Sequence, residues 1–201
     1  MILVFHRTGE RRYAVEAHRP GFPSVVMPTA PGYDPFIPHD MMHLVVEARL
    51  GLNGAVFGQL AAGGDAGTFH VPLDPDESSR TTGRTRKRVA KRGKRLLKQG
   101  RDECAQSERA TFICWTEWCA RSSSRDQNNQ ARAMAEQAKL VRDTARLKDQ
   151  RALNQTKLDD ICKHLDELSS HWNRLAVGQS MAVRWPDLAI VTELSPAPHK
   201  K

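Results

Sequence analysis

Two histidines four residues apart, His39 and His43, stand beside two carboxylates, Asp40 and Glu47, in the run PHDMMHLVVE. This is the spacing by which a helix turns two imidazoles toward one metal ion. At about 100° per residue, with His39 at 0°, His43 falls near 40°, Glu47 near 80° and Asp40 near 100°. Met41, Met42, Leu44, Val45, Val46 and Ala48 fill most of the remaining circumference, with Arg49 the one polar residue among them. A buried helix whose narrow polar stripe lines a cleft fits this pattern. A solvated stripe, with Asp40 placed by the helix dipole, is the simpler alternative.

If a divalent cation such as zinc binds, His39 and His43 are the ligands. Glu47 lies about 12 Å along the axis from His39, too far for one ion on a straight helix. It is therefore expected beside the ligands, or as an acid or base facing the cleft. Asp40 stands where HExxH metalloproteases carry their general base, but it is one methylene shorter, which argues against peptide hydrolysis. The catalytic candidates are thus Asp40 and Glu47. A third ligand must come from elsewhere, and His70, His6, His18, Asp34 and Asp65 are the candidates.

The helix carrying this stripe is expected to stop at Gly51, with Leu52 folding back on it. Before it, alternation predicts strands over residues 1–8, with Ile2 and Val4 on one side, over 13–17, and over 24–27. After it, Asn53 is expected to cap a short helix over 54–62. Gly54, Gly58, Ala61 and Ala62 read as close helix packing. The glycine run at 63–67 matches no phosphate-binding fingerprint. Residues 74–82 read as a polar link.

The chain has 201 residues, 39% of them hydrophobic, and a net charge of +8. Eleven Arg or Lys fall between residues 80 and 101 with no acid among them; removing those charges leaves −3 for the rest. The basic character therefore belongs to one segment, a helix expected over 85–99 with Gly93 as a weak point and Gly100 as its stop. Arg84, Arg86, Lys87, Arg88, Lys91, Arg92, Lys94, Arg95 and Lys98 could neutralise phosphates. They are expected to wrap most of the helix, leaving little apolar face for docking, and no recognition aromatic accompanies them.

Further helices are expected over 102–121, over 126–150, and beyond a capping box at Thr156 and Asp159. The last has a strict apolar repeat at Leu158, Ile161, Leu165, Leu168, Trp172 and Leu175. An antiparallel helical hairpin or small bundle is the expected packing, rather than a free coiled coil. Met181, Val183 and Trp185 alternate as a strand, residues 188–191 suggest another, and 195–201 read as a disordered tail. Cys104, Cys114, Cys119 and Cys162 form no CxxC pair, and Cys114 and Cys119, which flank Trp115 and Trp118, read as core. No run is long and apolar enough to span a membrane and no signal peptide is evident, so a cytoplasmic protein is expected.

The run of Ile37-Pro38-His39-Asp40, His43, Val46-Glu47, Gly51-Leu52, Gly54, Phe57-Gly58 and Ala61 to Gly64 resembles a group of small uncharacterised actinobacterial proteins. Trp172, Leu175, Val177-Gly178, Ser180 and Trp185-Pro186 resemble the end of the same group. The resemblance covers about half the chain; it implies a fold and a bacterial origin, but no activity. His39, Asp40 and His43 are also similar to the HDxxH piece of the Coq-four family of ubiquinone biosynthesis, which is thought to hold zinc through HDxxH and a later Glu. That Glu would fall at Ala55, so the likeness is local and carries no function.

These readings predict an α+β fold. A small antiparallel sheet from both chain ends forms a core of residues 1–78 and 179–194, packed with helices. Residues 79–178 form a helical insertion. The functional readings are a metal-binding protein or metal-dependent hydrolase using His39 and His43; a nucleic-acid-associated protein using residues 84–98; and an interaction protein working through its long helices.

Overall fold

The computed structural model describes residues 1–31, 34–73, 79–122 and 129–192. Strands β1 (Ile2–Gly9), β2 (Arg12–His18), β3 (Val25–Pro31), β4 (Ser180–Arg184) and β5 (Ile190–Val191) form one antiparallel sheet in the order β3-β2-β1-β4-β5. The fold is α+β, and both ends of the chain build the sheet. Ile2 pairs with Arg184 and His6 with Ser180, so the last strands sit directly beside the first.

Leu3 and Phe5 of β1, with Tyr13, Val15 and Ala17 of β2 and Met181 and Val183 of β4, bury the core side of the sheet. The expected grouping of Ile2 with Val4 is thus the opposite face. Val4 is buried there, outside this cluster. β3 runs longer than the four residues expected. It takes in Pro28 because an edge strand has a side on which no amide is needed.

Seven helices lie among the described residues: α1 (His39–Leu50), α2 (Val56–Ala61), α3 (Ser79–Gln99), α4 (Arg101–Ala120), α5 (Asn129–Asp143), α6 (Leu147–Ala152) and α7 (Gln155–Asn173). No helix of these residues is long and apolar enough to cross a membrane. α1 is central: every residue from Met41 to Glu47 is buried. It ends as expected at Gly51, whose φ of 68° and amide bonds to the last turn make a left-handed cap. Leu52 follows, buried, with its amide on the Glu47 carbonyl at 2.9 Å.

α4 and α7 flank α1, and α5 packs on α4. The middle helices thus cover α1 together with the sheet. Trp118 of α4 and Leu158, Ile161 and Leu165 of α7 are fully buried in the cluster that includes the sheet. Arg49, the polar exception on α1, meets Asp160 of α7 at 2.7 Å. The hairpin alternative does not form, because α5 pairs with α4 while α7 lies on α1 and α4; these helices pack as a small bundle.

Four boundaries also differ. α3 starts at Ser79 and not at 85, so 79–82 belong to the helix and not to the expected link, whose residues 74–78 lie outside the described residues. The helix expected over 126–150 is broken between α5 and α6, and its expected start lies outside the described residues, as does the tail at 195–201. α7 is capped by Asn154, whose side chain accepts from the Lys157 amide at 3.0 Å, and not by Thr156. α2 starts after Ala55, and Asn53 makes no side-chain cap there. None of the four cysteines is in a disulfide. Cys114, Cys119 and Cys162 are buried, and burial pushes the Cys162 thiol up to about 11, as befits core residues.

The basic helix α3 is docked, contrary to the expectation of little docking face. Thr82, Val89 and Gly93 form a buried stripe. Gly93 is not a weak point but a close approach, where a Cβ would strike the Asp65 carboxylate. Gly100, between α3 and α4, sits against Gly54, and a Cβ there would run into the Gly54 carbonyl. Gly100→Ala should destabilise the fold by about 1–3 kcal/mol through forced backbone displacement. Gly83→Ala, within α3 and with open space around it, should be neutral or stabilising by up to about 1 kcal/mol. Urea melts of the two variants check this, and equal effects would show that the approach at Gly100 is not tight.

Candidate metal centre

α1 begins directly after Pro38, its N-cap, whose extended ψ of 140° marks the change from loop to helix and whose carbonyl accepts the Met41 and Met42 amides at 3.0 and 3.2 Å. His39 and His43, one turn apart, come edge to face with ring centres 4.7 Å apart and their Nε2 atoms at 3.1 Å. α4 lies alongside and contributes Ser107, Glu108 and Thr111. The Oε2 of Glu108 is 3.7 Å from His43 Nε2. One ligand atom from each of His39, His43 and Glu108 lies within 4.8 Å of the others. A tetrahedral ion with bonds of about 2.0–2.1 Å holds its ligand atoms about 3.3 Å apart, so small rotations would suit the three groups to one ion.

The third member was not foreseen. His6 and His18 instead face Glu16, at 3.8 and 3.4 Å. The His70 backbone bridges to Val26. Asp65 takes the Gly67 amide within a turn. Asp34 comes closest, lining the same cavity. Its oxygens, however, accept from the Phe36 and Ile37 amides at 2.7 and 3.2 Å and from the Trp115 indole at 2.7 Å. The signal that could have found Glu108 is Ser107 and Thr111, two hydroxyls one turn apart in the helical stripe of Cys104, Cys114 and Trp118, with Glu108 adjoining them.

Of the two catalytic candidates, Asp40 turns away from the histidines, while Glu47 takes the first of its two expected places, beside the ligands. Asp40 is turned to the sheet, where its Oδ2 accepts from the Tyr13 hydroxyl at 2.6 Å. Glu47 does not face the cleft. It is fully buried behind His43, and its Oε2 accepts the Phe57 amide at 2.8 Å, so this carboxyl caps α2 in place of Asn53. The expected convergence of His39, His43 and Glu47 on one cleft is thus corrected to His39, His43 and Glu108.

A chain of polar groups connects Glu47 to the histidines. Ser107 Oγ lies 2.9 Å from Glu47 Oε1 and 2.8 Å from His43 Nδ1. Thr111 Oγ1 is 3.3 Å from the same nitrogen. When Glu47 is ionised, the Ser107 hydroxyl donates to it and accepts from Nδ1–H of His43. Nε2 then keeps its lone pair toward His39 and Glu108. When Glu47 holds a proton, the chain can run in the opposite sense. Burial pushes the Glu47 carboxyl up to about 8 against the pull of the Phe57 amide and Ser107. Burial, with His39 adding to it, lowers His43 to about 4, so its imidazole is neutral near pH 7.

Beside this group lies a cavity of about 310 Å³. Met42, Phe112, Trp115 and Met134 make its apolar wall, and His39, Glu108 and Thr111 its polar end. Its size and mixed lining suit a small organic ligand.

The nine cations proposed for phosphate contacts divide. Arg86 donates twice to the Val71 carbonyl, at 2.9 and 2.8 Å, and Arg92 stacks 4.7 Å over Phe22. Arg84, Lys87, Arg88, Lys91, Lys94, Arg95 and Lys98 are exposed.

Comparisons of the chain with models of known families, with curated proteins and with solved structures found no match.

Proposed function

We propose that the chain binds one divalent cation, zinc by its ligand chemistry, through His39, His43 and Glu108, and that the adjoining cavity admits a small molecule for hydrolysis there. The convergence of the three ligand atoms carries this reading. The donor set suits the ion: two neutral imidazoles and one carboxylate are a common zinc set that leaves a further position open. Such an ion would supply an activated water. The buried Ser107 and Glu47 behind His43 are the kind of outer support that fixes a ligand imidazole. The likeness of His39-Asp40-His43 to a zinc-holding HDxxH piece supports the metal, with Glu108 in place of the Glu missing at position 55. It supports no ubiquinone-related activity.

Metal analysis after equilibration with zinc and removal of free ion tests the reading. The wild-type chain should retain about one equivalent, as a single three-ligand site requires. His39→Ala/His43→Ala should retain none, and Glu108→Gln should bind more weakly. Ser107→Ala, which removes only the support, should cost about tenfold or more in affinity. Equal retention by wild type and the double variant would defeat the proposal.

A further inference from the structure

α3 carries a second surface, independent of the metal centre. At about 100° per residue, with Arg84 at 0°, the exposed Arg84, Lys87, Arg88, Lys91, Lys94, Arg95 and Lys98 all fall within an arc of about 120°. The docking stripe of Thr82, Val89 and Gly93 is centred near 160°, on the opposite side. Arg86 and Arg92, the two cations that lie off the exposed arc, are the two engaged with the protein.

The result is a rigid row of seven cations about 21 Å long at 1.5 Å per residue. α3 contains no acidic residue, and among the described residues the ion pairs of the chain lie on other elements. Like charges three and four apart on a helix repel. The row therefore opposes its own helix, and an anionic partner with regularly spaced charge would relieve it.

We propose that this face of α3 binds the phosphate backbone of double-stranded nucleic acid without reading its sequence. The row has the length to meet several successive phosphates, and a duplex offers the densest regular line of them. Phe22 is covered by Arg92, and no aromatic side chain stands in the exposed arc for a base to stack on, which disfavours single strands. An anionic membrane is disfavoured because an interfacial helix must insert its apolar side, and here that side is docked on the protein.

Fluorescence anisotropy with labelled mixed-sequence duplexes of DNA and of RNA, the matching single strands, and phosphatidylserine-containing vesicles tests this. Both duplexes should bind, more tightly than the single strands. The logarithm of the binding constant should fall with the logarithm of salt with a slope of about −4 to −6, near 0.9 per phosphate contacted. Lys87→Gln/Lys91→Gln/Lys98→Gln should weaken binding at least tenfold and reduce the slope by about 3. Lys139→Gln/Lys148→Gln/Lys163→Gln removes the same charge from other elements and should leave the slope unchanged. Both sets change exposed side chains, so both should fold, and circular dichroism confirms it. Equal weakening by the two sets, a binding constant insensitive to salt, or binding to vesicles in preference to duplexes would each overturn the proposal.

Discussion

Removing residues 179–192 and all that follows should abolish the cooperative unfolding transition of the whole chain, not merely trim an end. β4 is an inner strand, hydrogen-bonded to β1 along five residue pairs and flanked by β5. Val183 is fully buried, and Met181 and Trp185 nearly so. Trp185 also packs on Phe57 of α2 with ring centres 6.0 Å apart, and its amide donates to the Met1 carbonyl. Losing three such side chains costs about 1.5–3 kcal/mol each, before the unpaired amides of β1 are counted. That approaches the whole stability of a domain, about 5–15 kcal/mol. Near-ultraviolet circular dichroism during a thermal melt should show no sharp transition in the truncated chain. A transition at the wild-type temperature would mean that the two chain ends do not share a core. Shortening the basic segment should also cost stability, since Val89, Gly93 and Gly100 are packed.

The metal-free protein should lose about 2 kcal/mol of stability between about pH 6.5 and pH 8, and Glu47→Gln should remove that loss. The folded chain raises Glu47 from 4.5 to about 8, so it holds this proton more tightly than the unfolded chain does. The contribution is complete below about pH 4.5 and disappears as pH rises through about 8. His43 runs the other way. Lowered from 6.5 to about 4, it favours the fold above about pH 6.5 and ceases to do so as pH falls through about 4. Between about 4.5 and 6.5 the two oppose, and above that range only Glu47 remains of the pair. A Gln at position 47 can still accept from the Phe57 amide and donate to Ser107, and it cannot ionise. Urea midpoints of wild type and Glu47→Gln, measured across this range in a chelator, should therefore diverge as pH rises. Parallel curves would show that the Glu47 carboxyl is not the group responsible.

The sequence by itself determined the pieces whose cause is local. Alternation at Tyr13, Val15 and Ala17 and at Met181 and Val183 marks strands with one face to bury, and the sheet joins them. The apolar circumference of 41–46 makes α1 a buried helix, and Gly51 ends it because an achiral residue tolerates the left-handed turn. His39 and His43 lie together because a helix repeats every 3.6 residues.

What depended on one helix meeting another was decided only by the tertiary structure. Glu108 reaches His43 because α4 packs along α1, and spacing within α1 carries no trace of that contact. Glu47 and Asp40 share the polar arc of His39 and His43, yet α2 claims one carboxyl as a cap and Tyr13 of β2 claims the other. Likewise, the helical repeat already gathers seven of the nine cations on one arc, but only the docking of Val89 and Gly93 on the other side, with Arg86 and Arg92 drawn into contacts with the protein, decides that this arc is the exposed face. Periodicity fixes which side chains share an azimuth on an element, whereas packing between elements distant in sequence fixes what each azimuth meets.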